Sequence, residues 1–139
     1  MTETHCVFCR IVAGEIPSTR VIEDARTLCF MDINPATPGH CLVIPKIHRE
    51  NIYTMAEDEC LDVMRTTKRV VDAIASTLKP EGLNLLQANG LHAWQTVFHF
   101  HIHVIPRYVN DPIKLPWIPR HGDAEEVRRN GERIRSFFG

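Results

Sequence analysis

The 139-residue chain has no surplus of either charge: 16 Lys plus Arg stand against 17 Asp plus Glu, a formal net charge of −1. A protein that gathers nucleic acid or an anionic membrane through its overall field needs a basic excess, so no nucleic-acid or membrane partner is expected. A small anionic ligand stays open, because local backbone N–H groups can bind one. The opening Met1-Thr-Glu-Thr-His-Cys6 lacks a basic-then-apolar signal, and no apolar run approaches the 18 or so residues of a membrane span. A cytoplasmic protein is the expectation. Internal repeats and low-complexity stretches are missing too, and five cysteines, an odd number, argue against a disulfide framework. With 44% hydrophobic residues there is enough to fill one core, hence a single domain over 1–139.

What the chain does have is His99-Phe100-His101-Ile102-His103-Val104-Ile105-Pro106-Arg107. In a strand, alternate side chains face opposite ways, so Phe100, Ile102 and Val104 are predicted to enter a core while His99, His101 and His103 line the other face. At roughly 3.3 Å per residue, His99 and His103 lie about 13 Å apart, too far to share one metal at bond lengths of about 2 Å. Water-facing strands draw Thr, Lys or Glu, so a row of imidazoles points to catalysis, with one ring reacting and its neighbours orienting it.

The rest of the chain gives a frame. Cys6-Val-Phe-Cys9 has the spacing of half a zinc site, with a redox pair and two core thiols as the alternatives, whereas Cys29, Cys41 and Cys60 read as small core hydrophobes. A helical turn at Arg10–Ala13 precedes strands at Arg20–Glu23, Thr27–Asp32 and His40–Pro45. A capping box at Thr54 and Glu57, with Asp58 as a second candidate cap, opens a helix of about six turns whose core stripe is Leu61, Met64, Val71, Ile74 and Leu78. A fourth strand at Leu83–Gln87, a loop from Ala88 to Trp94 and the histidine strand complete an α+β domain with a mainly antiparallel sheet. After Arg107 come a proline-spaced arm holding Trp117 and a last helix opened by Asp123 and Glu126, with Ala124, Val127, Gly131 and Ile134 on one face.

Several segments together resemble the histidine triad family, in its small nucleotide-binding branch. These are Cys6-Val-Phe-Cys9, Gly14-Glu-Ile-Pro17, Phe30-Met-Asp-Ile-Asn-Pro35, Gly39-His40, Ile44-Pro-Lys46 with His48, Gln95-Thr-Val97 and His99–Arg107. The similarity spans about residues 6–107, leaving 108–139 as arm and helix. It implies a five-stranded sheet joined into a ten-stranded one across a homodimer, and hydrolysis or transfer of a nucleoside monophosphate through a covalent nucleotidyl-histidine. By resemblance His101 is the nucleophile on the α-phosphate, His103 and Thr96 donate to phosphate oxygens, Gln95 stands near the leaving group, and His99 assists. An AMP-like purine nucleotide would then sit against Val7, Phe8, Ile11, Phe30, Ile33 and Val97, with Asp32 on the ribose hydroxyls. Without the resemblance these apolar residues read as plain core. The resemblance also implies a structural zinc on Cys6, Cys9, His48 and His99, and no redox cofactor; the competing role for His48 and His99 is hydrogen bonding behind the nucleophile. Two positions depart from the family pattern: Ala88 stands where an asparagine contacting ribose or phosphate is usual, leaving Asn89 to substitute, and Trp94 stands in place of a glycine.

Three functions follow. The first is a hydrolase of nucleoside phosphoramidates or dinucleoside polyphosphates. The second is a purine-nucleotide-binding or scaffold protein with little catalysis. The third, independent of the resemblance, is a metal enzyme with an open-site ion on His101 and His103.

Overall fold

Unbroken apolar runs such as Cys41-Leu-Val-Ile-Pro45 suit strands covered on both sides, and that is where they lie. The computed structural model describes residues 5–139. In chain order these form helix α1 (Val7–Val12), strands β1 (Arg20–Glu23), β2 (Thr27–Met31) and β3 (Cys41–Pro45), helix α2 (Glu57–Thr77), strands β4 (Gly82–Gln87) and β5 (Ile102–Arg107), and helix α3 (Ala124–Ser136). The five strands make one sheet in the order β1-β2-β3-β5-β4, and each pairing is antiparallel. One face packs Cys29, Cys41, Val43, Phe100, Ile102 and Val104 against Val63, Val70 and Ile74 of α2. The opposite face packs Leu28, Phe30, Leu42 and Ile44 against Phe8 and Ile11 of α1.

Helix α2 has the predicted length but a different buried face. Val63, Thr66, Thr67, Val70 and Ile74 are buried, while Leu61, Met64 and Leu78 are exposed; of the expected stripe, Ile74 is buried and Val71 packs partly against the cluster. The difference arises because two threonines serve as core residues. The Thr66 hydroxyl lies 2.7 Å from that of Thr27, and the Thr67 hydroxyl donates to the Val63 carbonyl at 2.8 Å. Their polar atoms are satisfied, so burial costs little. The cap differs as well: Ala56 is the N-cap, and its N–H donates to the Glu59 carboxylate at 2.8 Å. Thr54 belongs instead to a short 3-10 turn, Ile52–Thr54, capped by Asn51. Cys60, expected in the core, is half-buried.

The histidine segment is only partly strand. Strand β5 begins at Ile102, so His103 alone of the three histidines lies within it. The ladder stops there for a local reason. Pro45 at the end of β3 has no N–H to give, and its carbonyl accepts from the His99 ring at 2.8 Å instead of from a backbone amide. The Phe100 N–H then donates to the Arg49 carbonyl at 2.7 Å. Phe100, Ile102 and Val104 nevertheless enter the α2-side core as predicted.

Beyond β5, the arm is anchored where Arg107 meets the Asp111 carboxylate through two contacts of 2.8 Å. Helix α3 starts on Asp123 as expected, its carboxylate accepting the Glu126 N–H at 3.1 Å. Val127 and Ile134 of α3 are exposed, as are Trp117, Phe137 and Phe138.

The altered phase of α2 gives a direct test. Val70 is buried against the sheet, so Val70→Ala is expected to lower the unfolding free energy by about 2 kcal/mol in urea titration. A loss below about 0.5 kcal/mol would place a different face of the helix on the sheet.

Candidate active site

Four donors from three distant segments converge where β3 ends and β5 is about to begin. Cys6 caps α1, its thiol accepting the Cys9 N–H at 3.4 Å, which sets both sulfurs on one side of the first turn. His48 follows β3, and His99 precedes β5. His99 Nδ1 lies 3.4 Å from Cys6 Sγ, 3.5 Å from Cys9 Sγ and 3.3 Å from His48 Nδ1, and His48 Nδ1 lies 3.4 Å from Cys9 Sγ. Tetrahedral zinc with bonds of about 2.3 Å to sulfur and about 2.0–2.1 Å to nitrogen has edges of roughly 3.3–3.6 Å between such donors. The set therefore has the spacing of a closed Cys2His2 site. The His99 ring is also oriented for it. A carbonyl can only accept, so the bond to Pro45 makes Nε2 the protonated nitrogen and leaves the Nδ1 lone pair facing the two thiols. Burial pushes the His99 pKa down to about 4, against the opposing effect of that bond.

The next histidine is fixed by the same rule. His101 Nδ1 lies 2.7 Å from the His99 carbonyl, so Nδ1 carries the proton and Nε2 holds an available lone pair. Its ring is buried and packs edge-on to Phe8, with centroids 5.2 Å apart. Burial lowers its pKa, outweighing the His99 carbonyl and the Asp32 charge. A neutral imidazole with one fixed tautomer is what nucleophilic attack requires.

That ring opens into a cavity of about 370 Å³. Of the residues predicted for a nucleotide, Val7, Phe8, Ile11, Phe30, Asp32, Ile33, Thr96, Val97, His101 and His103 all line it. Phe8 and Phe30 meet edge-to-face at 5.4 Å and form a rigid apolar wall. Asp32 accepts the Asn34 N–H at 2.8 Å through one oxygen. His40 stands behind this wall, its Nε2 2.9 Å from His103 Nδ1 and 3.5 Å from the other Asp32 oxygen.

Two predicted residues lie elsewhere. Gln95 is buried, with its Oε1 accepting the Gly90 N–H at 2.7 Å and its Nε2 donating to the carbonyls of Glu50 and Val97 at 2.6 and 3.1 Å. It staples the loop ahead of the histidines, and its amide is fully engaged there rather than turned to a leaving group. Asn89 likewise ties loops, accepting the Ile52 N–H at 2.7 Å and donating to Gln87 at 2.5 Å; it does not line the cavity, nor does the buried Ala88. Trp94 sits at φ 76°, ψ 16°, a left-handed conformation that favours glycine, with its side chain exposed. The open-site metal reading of His101 with His103 gains no support: among the described residues the candidate ligand groups are Cys6, Cys9, His48, His99 and Asp32, His40, His103, and His101 is in neither. His40 had no assigned role in the sequence. Its one signal is its place directly after Gly39 and ahead of an apolar strand.

The titration of His103 gives a pH test. Burial, aided by the neighbouring His101 and His40, pushes its pKa from 6.5 down to about 4. Between those values the unfolded chain takes up a proton at this ring that the folded chain refuses, so stability falls as pH falls from 6.5 toward 4. Urea titrations of His103→Gln are expected to show a shallower decline over that window. An unchanged slope would mean that His103 does not resist protonation in the fold.

Comparison with known proteins agrees with this geometry. The HIT domain family model matches residues 13–110. The adenosine 5'-monophosphoramidase hnt1 of Schizosaccharomyces pombe is 39% identical over 132 residues, covering 94% of this chain and 96% of that one. A HIT family protein from Bacillus anthracis superposes with a TM-score of 0.89 at 37% identity, covering 97% and 98% of the two chains. A zinc-bound histidine triad family protein from Mycobacterium smegmatis superposes at 0.75 with 35% identity, over 95% and 96%. With the family model matching residues 13–110 and these relatives aligned over nearly their whole length, the chain belongs to the HIT, or histidine triad, family.

Proposed function

We propose that this protein is a nucleotide hydrolase that attacks the α-phosphate of a nucleoside phosphoramidate, or of a dinucleoside polyphosphate, through His101. The observation that carries it is the single tautomer of His101, whose Nδ1–H is held by the His99 carbonyl while the ring lines the cavity. Nε2 attacks phosphorus, the bond to the leaving nitrogen or oxygen breaks, and the leaving group departs with one proton taken up from the medium. The imidazole then carries the nucleotidyl group as a cation, and the His99 carbonyl facing Nδ1–H stabilises that charge. Water attacks the same phosphorus, the phosphorus–nitrogen bond breaks, one water proton is released and neutral His101 returns. The phosphoramidase activity named for the fission-yeast relative supports the reaction class. The purine ring would lie between Phe8, Phe30 and Ile33, and Asp32, an acceptor-only carboxylate, suits the ribose hydroxyls.

Cys6, Cys9, His48 and His99 would hold zinc, which when bound supplies a cross-link between the N-terminus and the catalytic segment and leaves no open position. Turnover then needs no added metal. The experiment is AMP release from adenosine phosphoramidate by wild type and His101→Asn, with intact mass followed during turnover and zinc measured on both. The expected result is turnover with a transient adenylyl mass in the wild type, a loss of about 10³-fold or more in the variant, and one zinc in each. A wild type that binds AMP yet neither turns over nor forms adduct would favour the binding or scaffold function instead.

The protein would act as a homodimer joined through β4. That strand is a sheet edge, and its Leu85 and Leu86 are exposed, a poor arrangement for a solvated edge. Sedimentation is expected to give twice the chain mass, and Leu85→Lys to shift it toward the single chain; a wild-type monomer at tens of micromolar would refute the pairing.

A further inference from the structure

A second cavity, of about 560 Å³, adjoins the nucleotide cavity and shares Val7, Thr96 and Val97 with it. Glu50, His48 and Phe98 stand on the part of its wall that is not shared. An in-line displacement sends the leaving group away from the attacking nitrogen, and the shared wall at Thr96 and Val97 is where the two cavities meet. One side chain fixes the width of the second cavity. Gln95 Nε2 donates to the Glu50 carbonyl at 2.6 Å and to the Val97 carbonyl at 3.1 Å, which ties the unshared wall to the shared one. Gln95 is itself buried, and the Phe100 N–H holds the Glu50 segment again by donating to the Arg49 carbonyl at 2.7 Å. The engaged amide of Gln95 thus shapes a site that it does not enter.

The lining discriminates between leaving groups. No Lys or Arg stands among the described lining residues of either cavity, and Glu50 is the one carboxylate among those of the second. The basic residues nearest to these walls in sequence are paired elsewhere: Lys46 with Glu23 at 2.8 Å, Arg49 with Glu59 at 2.7 Å and Arg10 with Glu15 at 3.3 Å. A nucleoside polyphosphate leaving group carries several negative charges, and here it would meet a carboxylate where it needs a cation. An amine leaving group is met differently. Val7 and Phe98, 39% and 41% exposed, offer apolar surface to a short hydrocarbon stem, and the exposed Glu50 offers its charge to an ammonium group beyond that stem.

We infer that this second cavity is a leaving-group subsite and that Glu50 is its specificity-determining residue, selecting a primary amine that carries a second, positively charged group at the end of an apolar stem. The phosphorus–nitrogen bond of such a substrate breaks as His101 Nε2 bonds to phosphorus, and the nitrogen departs with its own hydrogen and one proton from the medium, as the free amine. The distal charge is untouched by the reaction, so Glu50 attracts it equally before and during bond breaking. Its effect therefore falls on KM and on kcat/KM, while kcat is set by the histidines.

The subsite rests on the hydrolase function proposed above, and equilibrium binding separates the two. Adenosine 5'-phosphoramidates of 1,4-diaminobutane, 1-aminobutane and 4-aminobutanoate are titrated calorimetrically into the full chain carrying His101→Asn, and AMP release from each is followed with the wild type. At low salt the diamine compound is expected to bind about tenfold more tightly than the carboxylate compound, with the neutral one between them and kcat/KM in the same order. Adding Glu50→Gln should bring the diamine-to-carboxylate ratio to within about twofold, and Glu50→Lys should reverse it. Raising the salt should shrink it. Equal affinity for the three compounds overturns the inference, as does a ratio that Glu50→Gln leaves in place, or diadenosine tetraphosphate cleaved as readily as the diamine compound. Ranked binding without turnover would sink the hydrolase function and leave Glu50 in a binding subsite. Turnover without ranking would do the reverse, and neither binding nor turnover with any of the three compounds overturns both.

Discussion

A buried imidazole is held neutral by its desolvation, and a neutral imidazole has one donor and one acceptor, so each ring in this site must be told which nitrogen is which. The backbone supplies that instruction each time. The Pro45 carbonyl turns the lone pair of His99 toward the thiols, the His99 carbonyl turns that of His101 toward the cavity, and the Ala36 amide acts through His40 on His103. Main-chain groups in a packed sheet and its flanking loops do not reorient, which makes them dependable partners where the wrong tautomer would turn a lone pair away from the cavity or the thiols. The row of histidines therefore works as three rings with separate assignments.

The segment 48–50 carries much of this order. Phe100 donates to the Arg49 carbonyl and Gln95 to that of Glu50, so the stretch before His101 is pinned from both sides. Arg49 in turn meets Glu59 through two contacts of 2.9 and 2.7 Å, and the same carboxylate caps α2 through Ala56. The Arg49 guanidinium holds the Glu59 carboxyl below the usual carboxylate range. One ion pair thus links the start of the long helix to a candidate metal ligand, His48, and to the backbone just ahead of His101.

The strands, the extent of α2 and the Asp123 cap were legible in the sequence, because they rest on local patterns: apolar runs, proline and glycine breaks, and a carboxylate three residues ahead of an amide. The buried face of α2 was not. Thr66 and Thr67 look polar in sequence and become core residues only because Thr27 and the Val63 carbonyl complete their hydrogen bonds. The convergence of Cys6, Cys9, His48 and His99 and the lining of the cavity followed from family resemblance, since no spacing rule brings residues 93 positions apart together. Gln95 and Asn89 show the limit of that approach: the residue types are in place, yet their amides serve the loops. His40 was invisible for the plainest reason, its partner lying 63 residues away.

The sheet order has a kinetic consequence. Strand β5 is the last strand to leave the ribosome, yet it belongs between β3 and β4. A nascent chain that ends short of the histidine segment holds two open inner edges and three of the four Cys–His cluster residues, with contacts of high sequence separation still to close. Loop closure over such spans is slow relative to helix or hairpin formation. Assembly of the sheet and assembly of the site are consequently one late event: no chain that ends short of β5 can display the aligned imidazoles, and a chain that displays them has finished its sheet.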